Sequence, residues 1–573
     1  LSVPMLASPA LLKHEDYSEA VLRRFSGSLM RFVRSLSVGV RISIMYKWQL
    51  LHIPEGSLEY TNAMLKCHQR AADMILHGCI QNGGLYIKMG QGLASLNHVL
   101  PKEFITTLEA LHDRAIARSG DEVDRIFIAD FGAKPSDLFL EFDREPFAAA
   151  SLAQVHRAVT RSGDRVAVKV QYEDLRDRFH TDIGTLEFLL RIVETIHKNF
   201  GFSWVLKDLK NTLAQELDFE LEAKNAMRCR QELAAMGTLL PDGRVHVPRV
   251  HYNLTSKRVL TADFIDGVKI NQTEALKAQG FSLRTIDRIL VEAFGRQVFC
   301  TGFVHADPHP GNLLVRQRPS RSSDDESSSG QRQLSGPLFR RLARGLWSWL
   351  ALFARLGRPA ETPAQLVILD HGLYESLTDD QRLAVCEMYK SVVDNNETRM
   401  QAASLLLGVN DWSTFAEVLI QRPWRRKGLT ISPRLTESER AYLIAQAQEH
   451  FDRIMLVLRE MPRPMLLFIR NLNLVRSIVR SHGDPINRHE LMIYTALLGS
   501  RIQVSNQKVV SHVTRFLGWM QWRRYRLQLR IEALREWIFL HLTRILYLLG
   551  LAPDVREIQS IIAQQITLPK PSA

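Results

Sequence analysis

Cysteine is scarce in this chain, which has only five in 573 residues: Cys67, Cys79, Cys229, Cys300 and Cys386. Their number is odd and no two lie close together, so the sequence indicates neither a disulfide scaffold nor a zinc ribbon. A reducing compartment is the expectation that follows.

Long uninterrupted apolar runs are also lacking. One apolar stretch, residues 36–51, is too short for a confident membrane-spanning helix. It is also too charged, because Arg41 and Lys47 interrupt it. It predicts a surface helix instead. The chain begins with Leu1 rather than Met, and the sequence neither shows nor excludes a targeting peptide.

Acidic residues are outnumbered: 61 Asp and Glu against 74 Lys and Arg give a formal net charge of +13. Such an excess suits an anionic partner, for example nucleotide phosphates or an acidic lipid surface. Nucleic acid is the least favoured partner, because zinc-finger, RNA-recognition and basic-zipper signatures are missing. With 46% hydrophobic residues, the chain should bury a core. Its 573 residues are enough for a two-lobed catalytic domain with additional helices.

Three motifs occur in the order found in protein kinases. Residues 305–312 read His-Ala-Asp-Pro-His-Pro-Gly-Asn, which places Asp307 five residues before Asn312 and an apolar strand directly after it. In kinase catalytic loops the Asp meets the attacking hydroxyl, and the Asn holds a metal ion on the phosphates. Downstream, Asp370-His371-Gly372 stands in the place of the metal-binding Asp-Phe-Gly. Upstream, the strand Val166–Lys169 ends in a lysine suited to grip phosphates.

Each motif has a simpler interpretation. The catalytic-loop sequence could be a polar loop stiffened by two prolines, and Asp-His-Gly is a common turn tripeptide. His305, Asp307 and His309 could instead be ligands of a zinc site, although the helical His-x-x-x-His context and cysteine partners are missing. The shared kinase order of the three motifs favours the nucleotide-site interpretation.

The remaining pattern predicts five segments: a basic segment 1–56, a helical extension 57–136, a small lobe 137–266, a large lobe 267–500 and a basic helical region 501–573. In the extension, helical spacing predicts a helix from Ser57 to Gln81 that Gly83-Gly84 breaks. In the small lobe we expect a strand, a loop at Ala148–Ser151 and a strand within 147–160, then a hairpin turn at Ser162-Gly163-Asp164 into the Lys169 strand. One long helix is expected over 205–233, followed by strands at 245–252 and 258–264.

Two amphipathic stretches have open interpretations. An insertion at 317–364 interrupts the large lobe and carries a basic amphipathic helix at 339–357, which suits a membrane surface, a packed helix or a tolerated insertion equally. The C-terminal stretch 510–551 carries an apolar stripe from Leu527 to Leu549. We expect this stripe to pack on the protein, with membrane contact as the alternative.

In these motifs the chain resembles the UbiB/aarF-domain family of atypical kinases. The resemblance covers roughly residues 30–555. The matching sequences are Lys88-Met89-Gly90-Gln91, the Ala-rich stretch Ala148–Ser151, Lys169, Glu216-x-Asp218, the loop 305–312 and Asp370-His371-Gly372.

The resemblance implies an α+β fold, namely a bilobal protein-kinase-like fold with a helical N-terminal extension and a helical C-terminal region. In better-studied relatives the extension lies over the active site and occludes the protein-substrate groove. Their ATP hydrolysis supports ubiquinone biosynthesis at the mitochondrial inner membrane. The resemblance therefore implies a mitochondrial, membrane-associated protein that uses ATP and Mg²⁺.

The resemblance also implies a role for each matching residue. Lys169 would contact the α- and β-phosphates and pair with Glu222 or Glu216, between which spacing does not choose. The rest of Glu216-x-Asp218 would face Lys88 and Gln91. Asp307 would be the catalytic carboxylate, with Asn312 and Asp370 as magnesium ligands. The nucleotide-lining residues would be Ala148, Ala149, Ala150 and Ser151 at the phosphates and Asp263, Phe264 and Ile265 at the adenine.

Two functions remain in competition. The first is a Mg-ATP-dependent kinase or ATPase acting at a membrane, on a protein or lipid-like substrate that the sequence does not identify. The alternative is a nucleotide-binding pseudokinase scaffold without phosphotransfer. The intact set of Lys169, Asp307, Asn312 and Asp370 favours the first.

Overall fold

The structure is a computed structural model. It describes residues 9–54, 57–94, 100–111, 120–149, 152–173, 175–196, 203–236, 243–319, 362–420 and 460–502, with single positions at 453–457 and 519–545. Its contacts divide the chain into two compact units. Unit 1 comprises Leu1–Arg228, Pro248–Ile265 and Asp370–Leu373, and unit 2 comprises Cys229–Val247, Asp266–Leu369 and Tyr374–Ala573.

The secondary structure is mixed, as an α+β fold requires. The helices with continuous described backbone are α1 (Pro9–Leu50), α2 (Leu58–Asn82), α3 (Leu85–Ala94), α4 (Lys102–Leu108), α5 (Gly120–Phe131), α6 (Pro135–Leu138), α7 (Leu175–Ile196), α8 (Ser203–Glu216), α9 (Phe219–Ala235), α10 (Thr273–Ala278), α11 (Leu283–Arg296), α12 (Asp379–Val393), α13 (Glu397–Leu406), α14 (Trp412–Ile420), α15 (Arg463–Ser481) and α16 (Arg488–Gly499). The strands are β1 (Phe139–Phe142), β2 (Ala148–Ala149), β3 (Ala153–Thr160), β4 (Arg165–Gln171), β5 (Val245–His246), β6 (Val259–Asp263), β7 (Val268–Lys269), β8 (Phe303–His305), β9 (Leu313–Gln317), β10 (Ala364–Ile368) and β11 (Tyr374–Ser376).

Helix α2 of unit 1 begins and ends where the sequence predicts. Ser57 caps α2 by accepting a hydrogen bond from the backbone N–H of Tyr60, and the helix ends at Gly83 and Gly84. Both glycines have positive φ, which lets the chain turn directly into α3. The predicted surface helix at 36–51 is confirmed as the end of α1, which is 42 residues long. None of the described helices is long and apolar enough to cross a membrane.

The sheet of unit 1 is antiparallel, with strand order β1-β3-β4-β6 and β2 paired to β3. The predicted hairpin before Lys169 is confirmed, because Gly163 adopts φ +85° between β3 and β4. The expectation of a loop beginning at Ala148 is wrong. Ala148 and Ala149 lie in β2 and pair with Val155 and Gln154 of β3, since alanine does not carry the entropic cost that glycine has in a strand. The last two residues of the stretch, 150 and 151, lie outside the described residues.

The single helix expected over 205–233 is two helices, α8 and α9. The break falls at Leu217 and Asp218, where the Asp218 carboxylate accepts hydrogen bonds from the N–H groups of Glu220 and Leu221. Such capping favours the start of a new helix, which the continuous apolar pattern did not reveal. The sequence also failed to predict α7, which packs against α1 through the ion pair of Arg31 with Asp182.

Unit 2 contains a second sheet with strand order β5-β10-β9-β7. β10 is parallel to β5 and antiparallel to β9, and β8 pairs separately with β11. The strand predicted at 245–252 is therefore wrong in extent. Only Val245 and His246 form it, and these two residues pair with Leu366 and Val367 of unit 2.

A buried arginine links three segments in the helical part of unit 2. Arg382 of α12 is fully buried, and its Nη1 donates at 2.8 Å to the carbonyls of both Phe299 and Gly499. Phe299 lies in a π-helical segment, Gln297–Thr301, and Gly499 ends α16. Gly499 has no side chain, so the two backbones approach closely here.

The helix predicted at 339–357, inside the insertion 317–364, lies outside the described residues. The C-terminal stripe is described in part. Its members Leu527, Ile531, Leu534, Ile538, Leu542 and Ile545 are helical and 42–59% exposed. The expectation that these residues pack on the protein is therefore wrong, since helical periodicity identifies an apolar face but not what covers it.

Candidate active site

One half-buried lysine in unit 1 lies between two carboxylates. Nζ of Lys169, on β4, lies 3.0 Å from Glu222 of α9 and 3.3 Å from Asp370. The Glu222 side chain is 3% exposed, whereas those of Lys169 and Asp370 are 23% and 36% exposed. We call these three residues the charge cluster. Asp370 also closes a turn by accepting the N–H of Gly372 at 2.9 Å.

The cluster perturbs the ionisation of its members. Burial raises the pKa of Glu222 to about 7, although the Lys169 ammonium opposes this effect. Burial by itself would lower the pKa of Lys169, but the carboxylates of Asp370 and Glu222 outweigh it and raise that pKa. Lys169 is therefore a permanent cation, which suits a group that binds phosphates.

The structure resolves which glutamate pairs with which lysine. Glu222 pairs with Lys169, while Glu216, at the end of α8, pairs with Lys88 of α3 at 2.7 Å. Asp218 is used as the cap of α9. The expectation that Gln91 faces these carboxylates is not met, because its amide donates to the carbonyl of Leu111 at 2.9 Å.

The residues predicted to hold adenine lie at the end of β6. The backbone N–H groups of Asp263 and Phe264 already donate to the carbonyls of Arg249 and Arg165. These two N–H groups are therefore not available to adenine. The predicted adenine contact would have to use the backbone carbonyls of 263–265 or Ile265. The Phe264 ring packs edge-on against Phe147 at 5.6 Å.

The catalytic-loop sequence of unit 2 is held by its own backbone and by buried side chains. Nδ1 of His305 accepts the N–H of Asp307 at 3.0 Å, and Asn312 donates through its amide nitrogen to the carbonyl of Asp307 at 3.4 Å. The amide oxygen of Asn312 is thus the atom that would bind a cation. Leu369, the residue before Asp370, donates its N–H to the carbonyl of Asn312.

The zinc-site alternative is wrong. The His305 ring is fully buried at 4.8 Å from the ring of Tyr374, and its Nδ1 accepts a backbone hydrogen bond. His309 uses Nδ1 to accept the N–H of Gly311. Across the described part of the chain, no three His, Cys, Asp or Glu side chains are arranged to hold a metal ion.

Two residues at this loop were missed from the sequence, Arg470 and Asn471 on α15. Nη2 of Arg470 lies 3.1 Å from Oδ1 of Asp307, and the buried Asn471 donates to the carbonyl of His305 at 2.6 Å. The available signal was two polar residues within the apolar run 465–472, because polar residues on a buried helix face usually have a partner.

Residues 110–404 match the model of the ABC1 atypical kinase-like domain, which covers more than half of the chain. The chain belongs to the ABC1/AarF family of atypical kinases. Its fold is accordingly protein-kinase-like. The resemblance to one member, the aarF domain-containing kinase 5 of animals, stays a prediction.

Curated relatives in the ABC1/AarF family are named as kinases. Probable serine/threonine-protein kinase abkD of Dictyostelium discoideum is 38% identical over 86% of this chain, which spans 65% of that relative's length. AarF domain-containing protein kinase 1 is 31% identical over 79% of this chain and 79% of its own length in Xenopus laevis. The same kinase in Mus musculus is 32% identical over 84% and 83%. The solved complex of Rv3197 with erythromycin from Mycobacterium tuberculosis aligns with 74% of this chain and 95% of its own at 18% identity and a TM-score of 0.41.

Proposed function

We propose that the protein is a Mg-ATP-dependent atypical kinase or ATPase. The observation that carries this proposal is the charge cluster, in which Lys169 bridges Glu222 and Asp370 at 3.0 and 3.3 Å. Protein kinases use a strand lysine, a helix glutamate and a metal-binding aspartate of this kind on the nucleotide phosphates. In those enzymes the catalytic Asp and Asn, represented here by Asp307 and Asn312, serve the same nucleotide.

The donor set suits magnesium. The Asp370 carboxylate and the Asn312 amide oxygen are hard oxygen ligands, and Mg²⁺ is commonly bound by one or two protein oxygens together with substrate phosphates. When bound, the ion would neutralise charge on the phosphates. The chain's own residues would position the reactants and take up the proton. Lys169 would hold the phosphates, and Asp307 would accept a proton from the acceptor hydroxyl or from water.

The test of this function is magnesium-dependent ATP turnover by the purified full chain. We expect Asp307→Asn to lower kcat by about a hundredfold, because the amide cannot accept the proton, while Mg-ATP still binds. Binding is measured separately by titration with a fluorescent ATP analogue. Nucleotide binding with no turnover in wild-type protein, even with vesicles present, would support the pseudokinase scaffold instead.

We also infer that the protein contacts an anionic membrane surface through α1. Within residues 26–50, one face of this helix is exposed and apolar, and we call it the α1 stripe: Leu29, Met30, Val33, Val40, Ile44 and Trp48, each 47–79% exposed. At 100° per residue these positions fall within an arc of about 100°. The exposed Arg41 and Lys47 lie at the two edges of that arc, and residues 26–51 contain no Asp or Glu.

An apolar face edged by basic residues is typical of helices that lie in a membrane interface. The opposite face of α1 packs on protein, since Arg31 is buried against Asp182 and the ring of Phe32 lies 6.2 Å from that of Phe188. The α1 stripe is thus not required to hold α1 in place.

Vesicle flotation tests the membrane contact. The double variant Ile44→Glu and Trp48→Glu should bind anionic vesicles at least about tenfold more weakly, because it removes two large apolar groups and adds negative charge. Leu406→Glu is the matched control, since Leu406 is 73% exposed on α13 in unit 2. Equal binding by both variants would exclude the α1 stripe as the contact.

A mitochondrial location, and a role in lipid or quinone metabolism, are part of the proposal on the resemblance alone. The amphipathic character of the α1 stripe supports contact with a membrane but does not select which membrane.

A further inference from the structure

The catalytic-loop sequence has no cation of its own. Between His305 and Asn312 it contains neither Lys nor Arg, and the residue before Asp307, an arginine in the His-Arg-Asp of protein kinases, is the buried Ala306. The cation beside Asp307 comes instead from a distant part of the sequence of unit 2. Nη2 of Arg470, on α15, lies 3.1 Å from Oδ1 of Asp307.

We propose that Arg470 is a positioning residue for phosphoryl transfer, which fixes the carboxylate of Asp307 and offsets its charge. The inference rests on the proposed function, in which Asp307 accepts the proton. An incoming phosphate is anionic, so an unpaired carboxylate beside it would be repelled. A paired carboxylate keeps its orientation at the moment when charge develops.

The contact is not needed to anchor the loop. Asn471 already donates to the carbonyl of His305, and the N–H of His305 donates to the side chain of Gln297 at 3.2 Å. Both partners of the Arg470–Asp307 pair also remain accessible, with side chains 17% and 21% exposed. The buried Nε of Arg470 has no hydrogen-bond partner among the described residues, so the contact with Asp307 is its principal polar constraint.

A double-mutant cycle in the full chain tests the proposal. We expect Arg470→Met to lower kcat for ATP by about tenfold to a hundredfold, with KM for Mg-ATP changed less than about twofold, because a misplaced carboxylate costs rate rather than binding. Arg470→Met combined with Asp307→Asn should be no slower than Asp307→Asn alone, since the arginine acts through the carboxylate. The matched control is Arg480→Met, on an exposed arginine of the same helix.

A second measurement separates positioning from folding. Millimolar guanidinium should restore part of the turnover of Arg470→Ala, and thermal melts of all variants should agree with wild type within a few degrees. Unchanged kcat in Arg470→Met, or losses that multiply in the double variant, would overturn the proposal. If wild-type turnover is insensitive to Asp307→Asn, the proposed function itself fails, which is a distinct outcome.

Discussion

Replacing Lys169 with methionine should reduce magnesium-dependent ATP turnover by about a thousandfold, since it removes a preorganised cation from the phosphates. Of the changes considered for this protein, we expect this one to have the largest effect on activity. Lys169→Arg is the matched control for charge. Turnover of Lys169→Met at the wild-type rate would show that the charge cluster does not bind the nucleotide.

The same substitution should also destabilise unit 1. Glu222, whose side chain is 3% exposed, would lose its cation while remaining close to Asp370. Removing one partner of such a pair costs about 2–3 kcal/mol here, less than in a fully buried pair because Lys169 is 23% exposed. Adding Glu222→Gln to Lys169→Met should restore thermal stability but not turnover. That split would separate the structural role of the lysine from its role on the phosphates.

Gly499→Ala should destabilise unit 2 by about 3 kcal/mol or more. A Cβ at this position would overlap with the carbonyl oxygen of Phe299, a backbone atom that cannot rotate away. The separation of α16 from the π-helical segment would also weaken the two hydrogen bonds that Arg382 donates to Phe299 and Gly499. Thermal denaturation followed by circular dichroism measures the loss.

The control for this prediction is Gly184→Ala in α7. An added Cβ there meets nothing within 4 Å, and the residue is exposed. Because alanine favours a helix over glycine by up to about 1 kcal/mol, Gly184→Ala should be neutral or slightly stabilising. A similar melting temperature for both variants would contradict the close approach at Gly499.

Sequence reasoning succeeded where the signal is local. Three predictions depend only on neighbouring residues, and the structure confirms them: a strand that carries Lys169, the hairpin at Gly163 and the glycine pair that ends α2. Local patterns were also sufficient to identify the family, because its motifs are short runs of sequence. The exact function of those motifs in this chain stays a prediction.

The sequence could not settle contacts that depend on tertiary structure. The choice between Glu216 and Glu222 follows from the helix break at Asp218, which assigns one glutamate to each of two lysines. Arg470 lies 163 residues from Asp307 in the chain, and no local pattern links the two. Ala148 and Ala149 were expected in a loop because kinases have glycines there, whereas here both residues pair with the start of β3 in a hairpin that their own sequence does not indicate.

The pairing of β5 with β10 has a consequence for synthesis of the chain. Val245 and His246 are made roughly 120 residues before the strand that they join, and at typical ribosomal rates this interval is on the order of ten seconds. During that interval β5 of the nascent chain has no β10 with which to pair. A fragment that stops before residue 364 would never acquire that neighbour, so truncation at the insertion is expected to leave the sheet of unit 2 incomplete.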